Sequence, residues 1–334
     1  MKKQPLVSVL VLNWNGAKFL DACIESLLKT RYAPLEIVVV DNCSADASVA
    51  LLEKYPSVKT FVNERNLGYA AGNNAGFARC NGKYIVTLNN DMKVDPDWLH
   101  APVAALERDP SIGLVGCRQM SWHEPAIIDG LYHILRGDLT FYPFGTGCRP
   151  QDDPRFLREG YVLSVNGGSS VIRKRMLDEI GGFDERFFAY YDEVDLCMKA
   201  FVNGWSAYYT PDAVVYHLGS ASFKKDGIFT YFLRERNRMR VMYKYFPWGL
   251  MVRHLLPLLV MELRVIRVMA LKSRRPDEYF RCRREGIASL RDYRLLRKNN
   301  LALLRKRMTE FSILRRCGIL TSEEIAEYRK QPLC

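Results

Sequence analysis

Apolar and polar positions along the first 116 residues fall into two alternating patterns. Residues 6–12 (LVSVLVL), 36–40 (EIVVV), 58–62, 84–88 (YIVTL) and 112–116 are short runs of strand length, rich in Val, Ile and Leu. Between them, residues 20–28, 45–55, 69–78 and 97–108 place apolar side chains at helical intervals. Buried strands that alternate with helices predict an α/β fold, a doubly wound and mainly parallel sheet flanked by helices. Residues 119–160 break the pattern with Gly, Pro and aromatics and show no period. They read as a long connection over one face, with room for a hairpin. Helical spacing returns at 174–180 and 193–202, each ending near glycine, and 213–216 forms a late strand. From Phe229 onward the pattern is helical almost throughout, with arginines between the apolar positions.

Composition adds a division. The chain has 334 residues, 48% apolar and 12% aromatic, enough for a real core and too apolar for disorder. Its net charge of +12 is uneven. Residues 1–222 carry 22 Lys and Arg against 26 Asp and Glu, whereas residues 223–334 carry 27 against 11. We therefore expect a catalytic-sized domain over 1–222 and a basic α-helical C-terminal region over 223–334. That region has three readings: an anionic membrane surface, packing or a homo-oligomer contact, and nucleic acid. Nothing else in the chain supports nucleic acid. Its most apolar stretch, FPWGLMVRHLLPLLVMELRVIRVMALK, is interrupted by Arg253, Glu262, Arg264 and Arg267. This suits a helix lying in the membrane plane better than one crossing it. Nine cysteines, the last at Cys334, are widely spaced and include no Cys-x-x-Cys, which argues against a disulfide framework or zinc site. The N-terminal apolar run is too short for a signal peptide. The expected location is the cytoplasm, peripheral on the cytoplasmic face of the inner membrane.

In open α/β sheets ligands bind beyond the carboxyl ends of the strands. Here those ends carry Asn13-Trp14-Asn15-Gly16, Asp41-Asn42-Cys43-Ser44, Asn89-Asn90-Asp91 and, after the late strand, His217. Each alone has a local reading as a cap or turn residue. As a set on one rim they make a candidate site. No phosphate-binding Gly-x-x-x-x-Gly-Lys-Ser/Thr and no Gly-x-Gly-x-x-Gly follows the first strand. Gly68, Gly72 and Gly76 would line one face of the third helix, either for close packing or for room near a ligand.

These motifs carry a resemblance. VSVLVLNWNG, EIVVVDNCSAD, NERNLGYAAGNNAG and YIVTLNND, followed by VNGGSSVIRK, GGFDERFFAYYDEVDLCMKA and PDAVVYHLGS, resemble glycosyltransferase family 2 over residues 5–222. The flavour is that of bacterial rhamnosyltransferase-like members, with galactofuranosyltransferases less close. The resemblance implies a GT-A fold and a metal-dependent hexosyltransferase acting with inversion on a nucleotide-diphosphate sugar. The best-matching donor is dTDP-rhamnose. The acceptor would be a saccharide or a polyprenyl-linked saccharide in cell-surface polysaccharide synthesis. A non-catalytic carbohydrate-binding scaffold of the same fold is the alternative. Carried over by residue, Asp41 would bind the pyrimidine base, with Asn13 and Asn15 in the same pocket. Arg65, Asn66 and Gly68 fall on the nucleotide-sugar segment, Asn89 would contact the ribose, Asn90 would bind the nucleotide or donor, and Gly167 and Gly168 would stand beside the donor sugar or acceptor. Asp91 and His217 would hold Mg²⁺ or Mn²⁺. Asp192 and Glu193 form the acidic pair, with Glu193 the general base. One departure stands out: Asn89 occupies the first acidic position of the family's Asp-x-Asp motif, and an amide is a weaker ligand for a hard cation.

The chemistry needs such groups. A departing diphosphate carries charge that a divalent cation offsets, and the acceptor hydroxyl needs a base. A neighbouring Asp192 is expected to raise the proton affinity of Glu193. The bland reading of Asp192, Glu193 and Asp195 is a solvated helix start favoured by the macrodipole.

Overall fold

The β-branched runs of the first ninety residues become adjacent strands because both of their faces can be buried. β1 (Val7–Asn13), β2 (Leu35–Asp41), β3 (Lys59–Val62) and β4 (Tyr84–Asn89) pair in parallel in the order β4-β1-β2-β3. The protein is described by a computed structural model over residues 4–218, 227–321 and 323–324. The expected domain boundary at 222/223, Cys334 and the last two residues of PDAVVYHLGS lie outside the described residues. The strands that follow are β5 (Met92–Val94), β6 (Ile112–Ser121), β7 (Ile128–Gly130), β8 (Tyr132–Leu135), β9 (Phe141–Pro143), β10 (Gly160–Val162), β11 (Ser164–Val165), β12 (Ser169–Arg173) and β13 (Ser206–His217). The main sheet runs β10-β13-β6-β12-β4-β1-β2-β3, with β5 on β13 and β7 on β6. A small sheet, β11-β8-β9, stands beside it.

Two departures from the expected pattern matter. β12 enters the middle of the sheet antiparallel to both β4 and β6, so the sheet is mixed. Residues 119–160 are not a loose connection. They finish a ten-residue β6, add β7 and build the β8–β9 hairpin, whose strands are too short to show a period. The register places Asn13 opposite Asp41, Leu12 opposite Asn89, and Ser169 opposite Leu88. The ends of β1, β2 and β4 and the start of β12 therefore share one rim.

Helices cover both faces. α1 (Ala17–Leu28), α2 (Ser48–Leu52), α3 (Gly68–Phe77), α4 (His100–Arg108), α5 (Lys174–Ile180) and α6 (Asp192–Val202) belong to the first part. Alternation along β1 sends Val7, Val9 and Val11 toward α1 and α4, and Leu10 toward α3 and α5. On α3, a Cβ at Gly72 would stand 2.8 Å from Leu12, and one at Gly76 2.4 Å from Leu10. Close packing is thus the role of those two glycines. The second part is helical: α7 (Gly227–Tyr245), α8 (Trp248–Arg253), α9 (Leu255–Ile266) continuing into a π-turn at Arg267–Lys272, α10 (Pro276–Ser289), α11 (Arg294–Arg305) and α12 (Met308–Cys317). It shares the core of the first. Val241 and Tyr245 of α7, Leu304 of α11 and Phe311 of α12 are buried with Val94, Phe187 and Met198 in one cluster.

Candidate active site

The rim opens into a pocket of about 420 Å³. Of the residues singled out from sequence, Asn66, Gly68, Asn89, Asn90, Asp91, Gly167, Gly168, Asp192, Glu193 and His217 line it. Asn13, Asn15, Asp41 and Arg65 do not. Asn13 and Asp41 are fully buried behind the wall, where Asn13 Nδ2 donates to Asp41 Oδ1 at 2.7 Å. Asp41 also accepts from the Ser44 amide and hydroxyl at 2.8 and 2.6 Å. Asn13 Oδ1 in turn accepts from Asn90 Nδ2 at 2.6 Å, so this network fixes a wall residue. Asn15, with φ of 49°, accepts from the Ala45 amide at 2.8 Å, and Arg65 is exposed outside the lining.

On one side, His217 Nε2 lies 3.5 Å from Asp91 Oδ1, and His217 Nδ1 lies 2.8 Å from Asp129 Oδ2. Asp91 follows β4 and His217 ends β13, and β5 ties the two strands by pairing Met92 with His217. Burial alone would lower the His217 pKa, but the two carboxylates outweigh it and lift it to about 9. A carboxylate and an imidazole meeting at the pocket, the ring held by a second carboxylate, is a donor set that suits a divalent cation. Among the described residues no group of three or more His, Cys, Asp or Glu could hold an ion. An ion here would take most of its ligands from a phosphate and water.

In the same lining, α6 opens with Asp192 and Glu193. The Glu193 carboxyl is raised to about 7, mainly by burial. Burial is the larger cause, and the like charges of Asp192 and Glu193 act on each other, with the Asp192 carboxyl pushed well above the ordinary range. Arg234 of α7 partly opposes the shift on Glu193. His133 does not. Burial lowers its pKa to about 4, so it is neutral at pH 7. Its Nδ1 lies 3.0 Å from the Val165 carbonyl, which can only accept, so the proton sits there and Nε2 turns a lone pair to Glu193 Oε1 at 3.7 Å. Asp195 is fully buried and pairs with Lys244 of α7, which overturns the solvated-helix reading for that residue. Gly167 packs against Glu193, since a Cβ there would stand 3.0 Å from both Cβ and Cγ of that side chain.

The segment feeding α6 is held open in an uncommon shape. Phe188, Tyr190 and Tyr191 have φ of 66°, 66° and 64°. The carbonyls of Phe187, Ala189 and Tyr190 accept from Asn237 Nδ2 of α7 at 3.0, 2.9 and 2.8 Å, two hydrogens shared among three acceptors. Arg236 adds a bond to Phe187 O and Arg240 one to Arg186 O.

Asp129, His133 and Arg234 were missed as site residues. The first two lie in the aperiodic segment. Arg234 was visible only as one positive charge among many. Asn42, also missed in this role, donates to Asn66 Oδ1 and Gly68 O and so positions both.

Comparison with known proteins identifies the family and the fold. A model of glycosyl transferase family 2 matches residues 8–181. An O-antigen biosynthesis protein of Myxococcus xanthus is 29% identical over 67% of this chain and 18% of its own length. An N-acetylglucosaminyl-diphospho-decaprenol L-rhamnosyltransferase of Mycobacterium tuberculosis is 26% identical over 66% of this chain and 78% of its own. The chain spans a quarter or less of the length of two of the curated relatives that it matches. Among solved structures, a mannosyltransferase of Pyrobaculum calidifontis in complex with GDP-mannose and Mn²⁺ superposes with a TM-score of 0.57. That match has 18% identity and covers 92% of this chain and 88% of the other.

Proposed function

Because the chain belongs to glycosyl transferase family 2 and has the GT-A fold, we propose that it is an inverting glycosyltransferase using a nucleotide-diphosphate sugar. The observation that carries this reading is Glu193, a half-buried carboxyl with its pKa raised to about 7 in the same pocket as Asp91 and His217. Such a group can be ionised and still take a proton. Glu193 would remove the proton of an acceptor hydroxyl as its oxygen attacks the anomeric carbon. The bond from that carbon to the diphosphate oxygen breaks on the opposite face, and the nucleoside diphosphate leaves. One base and one displacement give inversion.

Asp91 and His217 would hold a Mg²⁺ or Mn²⁺ ion, which when bound offsets the charge growing on the leaving diphosphate. Asp129 keeps the His217 ring oriented. The proton that the carboxylates hold on His217 must leave before that nitrogen can ligate. Asn66, Gly68, Asn89 and Asn90 would line the nucleotide side, while Asn13, Asn15, Asp41 and Arg65 would support or flank it. Gly167 and Gly168 would leave room for the sugars.

The rhamnosyltransferase relative supports dTDP-rhamnose as the donor and a lipid-linked saccharide as the acceptor, in cell-surface polysaccharide synthesis. Residues 1–222 would supply donor and base, and residues 223–334 would complete the acceptor side. The test is donor binding and turnover across dTDP-rhamnose, UDP-glucose, UDP-galactofuranose and UDP-N-acetylglucosamine, with Mn²⁺ or EDTA. Turnover of one donor, lost in EDTA and in Glu193→Gln while nucleotide still binds, is the expected result. A fully active Glu193→Gln variant would overturn the assignment.

A further inference from the structure

Beside the active-site pocket, Arg136, Arg234, Arg264 and Arg267 line a second cleft of about 420 Å³. It lies between the β8–β9 hairpin, α7 and the end of α9. Arg234 lines both spaces, and β9 is the wall between them: Phe141 and Pro143 face the pocket, Tyr142 the cleft. Other arginines of the helical region are paired, Arg236 with Glu285, Arg238 with Glu235, Arg283 with Glu262 and Arg307 with Glu310. Among the described residues, none of the four cleft arginines has an ion-pair partner. The cleft holds one carboxylate, Asp138, which accepts from the Thr140 amide at 3.1 Å. Four guanidinium groups against one carboxylate make a site for a multiply charged anion, and arginine forks match phosphate oxygens in pairs.

The cleft also borders an unpartnered apolar face. Trp248 and Val252 of α8 and Leu255, Leu256, Leu259 and Leu263 of α9 are exposed, Leu256 to 72%. Along α9 these leucines fall at i, i+1, i+4 and i+8, one stripe of the helix, and Arg264 and Arg267 follow it directly. A patch of this kind rimmed by positive charge fits a ligand that is apolar at one end and anionic at the other.

We propose that the arginine cleft binds the diphosphate of a lipid-carried saccharide acceptor, with the lipid lying against the apolar stripe of α8 and α9. This rests on the transferase reading above and gives its acceptor side a location. A saccharide extending from a diphosphate at Arg234 reaches the pocket that Arg234 shares with Glu193.

The test is calorimetric titration of the full chain in EDTA, which suppresses ion-dependent diphosphate binding at Asp91 and His217. The probes are farnesyl diphosphate, inorganic pyrophosphate and farnesol. Farnesyl diphosphate should bind, with pyrophosphate at least about tenfold weaker and farnesol without saturable binding. The double variant Arg264→Gln/Arg267→Gln should weaken farnesyl diphosphate at least about tenfold. Leu256→Ser/Leu263→Ser should weaken farnesyl diphosphate and leave pyrophosphate unchanged, and Arg284→Gln on α10 should change neither. Unaltered farnesyl diphosphate binding in the arginine double variant would overturn the proposal. So would pyrophosphate binding as tightly as farnesyl diphosphate, which would mark a site for free phosphates. The two readings fail separately. Absent donor turnover with this binding intact would remove the transferase, and lost binding with donor turnover intact would remove the cleft.

Discussion

Glu193 is useful only in one protonation state. In its proposed role as base it must be ionised, so activity should follow its deprotonation. With the divalent ion saturating, so that it has already displaced the His217 proton, we expect kcat/KM to fall about tenfold per pH unit below about 7 and to level off above it. A pH–rate profile checks this, and a flat acid limb down to pH 5 would separate Glu193 from the chemistry. Its position depends on what is missing from its neighbour. Gly167→Ala would put a methyl group 3.0 Å from the Glu193 side chain and displace it. We expect kcat to drop at least about tenfold, because small misplacements of a catalytic group are costly, with the melting temperature nearly unchanged. The place of Asp91 and the Asp192–Glu193 pair at the pocket was legible in sequence because an acidic group directly after a buried strand, or inside an apolar aromatic string, is unusual, whereas His217 stood out only through the family resemblance. Asp129 and His133 were not legible. Each sits on a strand of three or four residues, and each gains meaning only from a side chain tens of positions away, His217 and Glu193 respectively.

At the scale of elements, α7 sets the shape of the segment that ends in the base. Left-handed backbone at a bulky residue is unfavourable, of order 1–3 kcal/mol each, and Phe188, Tyr190 and Tyr191 all adopt it. Asn237 holds the three carbonyls that the shape exposes. Asn237→Ala should cost about 1–3 kcal/mol in denaturant unfolding and lower kcat more than it raises donor KM. Equal stability in the variant would show that the segment holds itself. None of this could be read from α7, whose sequence GIFTYFLRERNRMRVMYKY shows only helical spacing and charge. The parallel strands β1, β2 and β4 were readable, since both faces are buried and the apolar run is nearly unbroken. β12 was passed over because SSVIR is five residues long and starts with two serines, and its antiparallel place between β4 and β6 comes from pairing across eighty residues.

For the whole molecule, the charge imbalance is not the mark of an appended arm. Lys244 of α7 is buried, with Nζ 2.5 Å from Asp195 and 3.1 Å from Asp184. Removing it strands the fully buried Asp195 while Asp184 keeps Arg186, so Lys244→Met should destabilise by about 3–5 kcal/mol, read as a loss of melting temperature. Deleting residues 227–334 should leave a chain that does not fold cooperatively, because α7, α11 and α12 supply part of the main core. A stable, nucleotide-binding fragment of residues 1–226 would refute that. Liposome sedimentation of such a fragment is therefore a poor probe of the helical region, and point changes on the exposed face of α9 are the better one. The change of composition near residue 222 is plain in the sequence, but the shared core is not, because apolar spacing on a helix does not say which neighbour it meets.

The clamp of Asn237 on the Phe187–Tyr190 carbonyls also orders the life of the chain in time. Domains take shape from the N-terminus as synthesis proceeds, and the wall built by Asn13, Asp41 and Asn90 draws on residues made early. The base is set only after α7 has been made. Because α7, α11 and α12 also complete the main core, the wall and Glu193 are fixed together only once the last helices have been made, and the proposed transfer must wait for the whole chain.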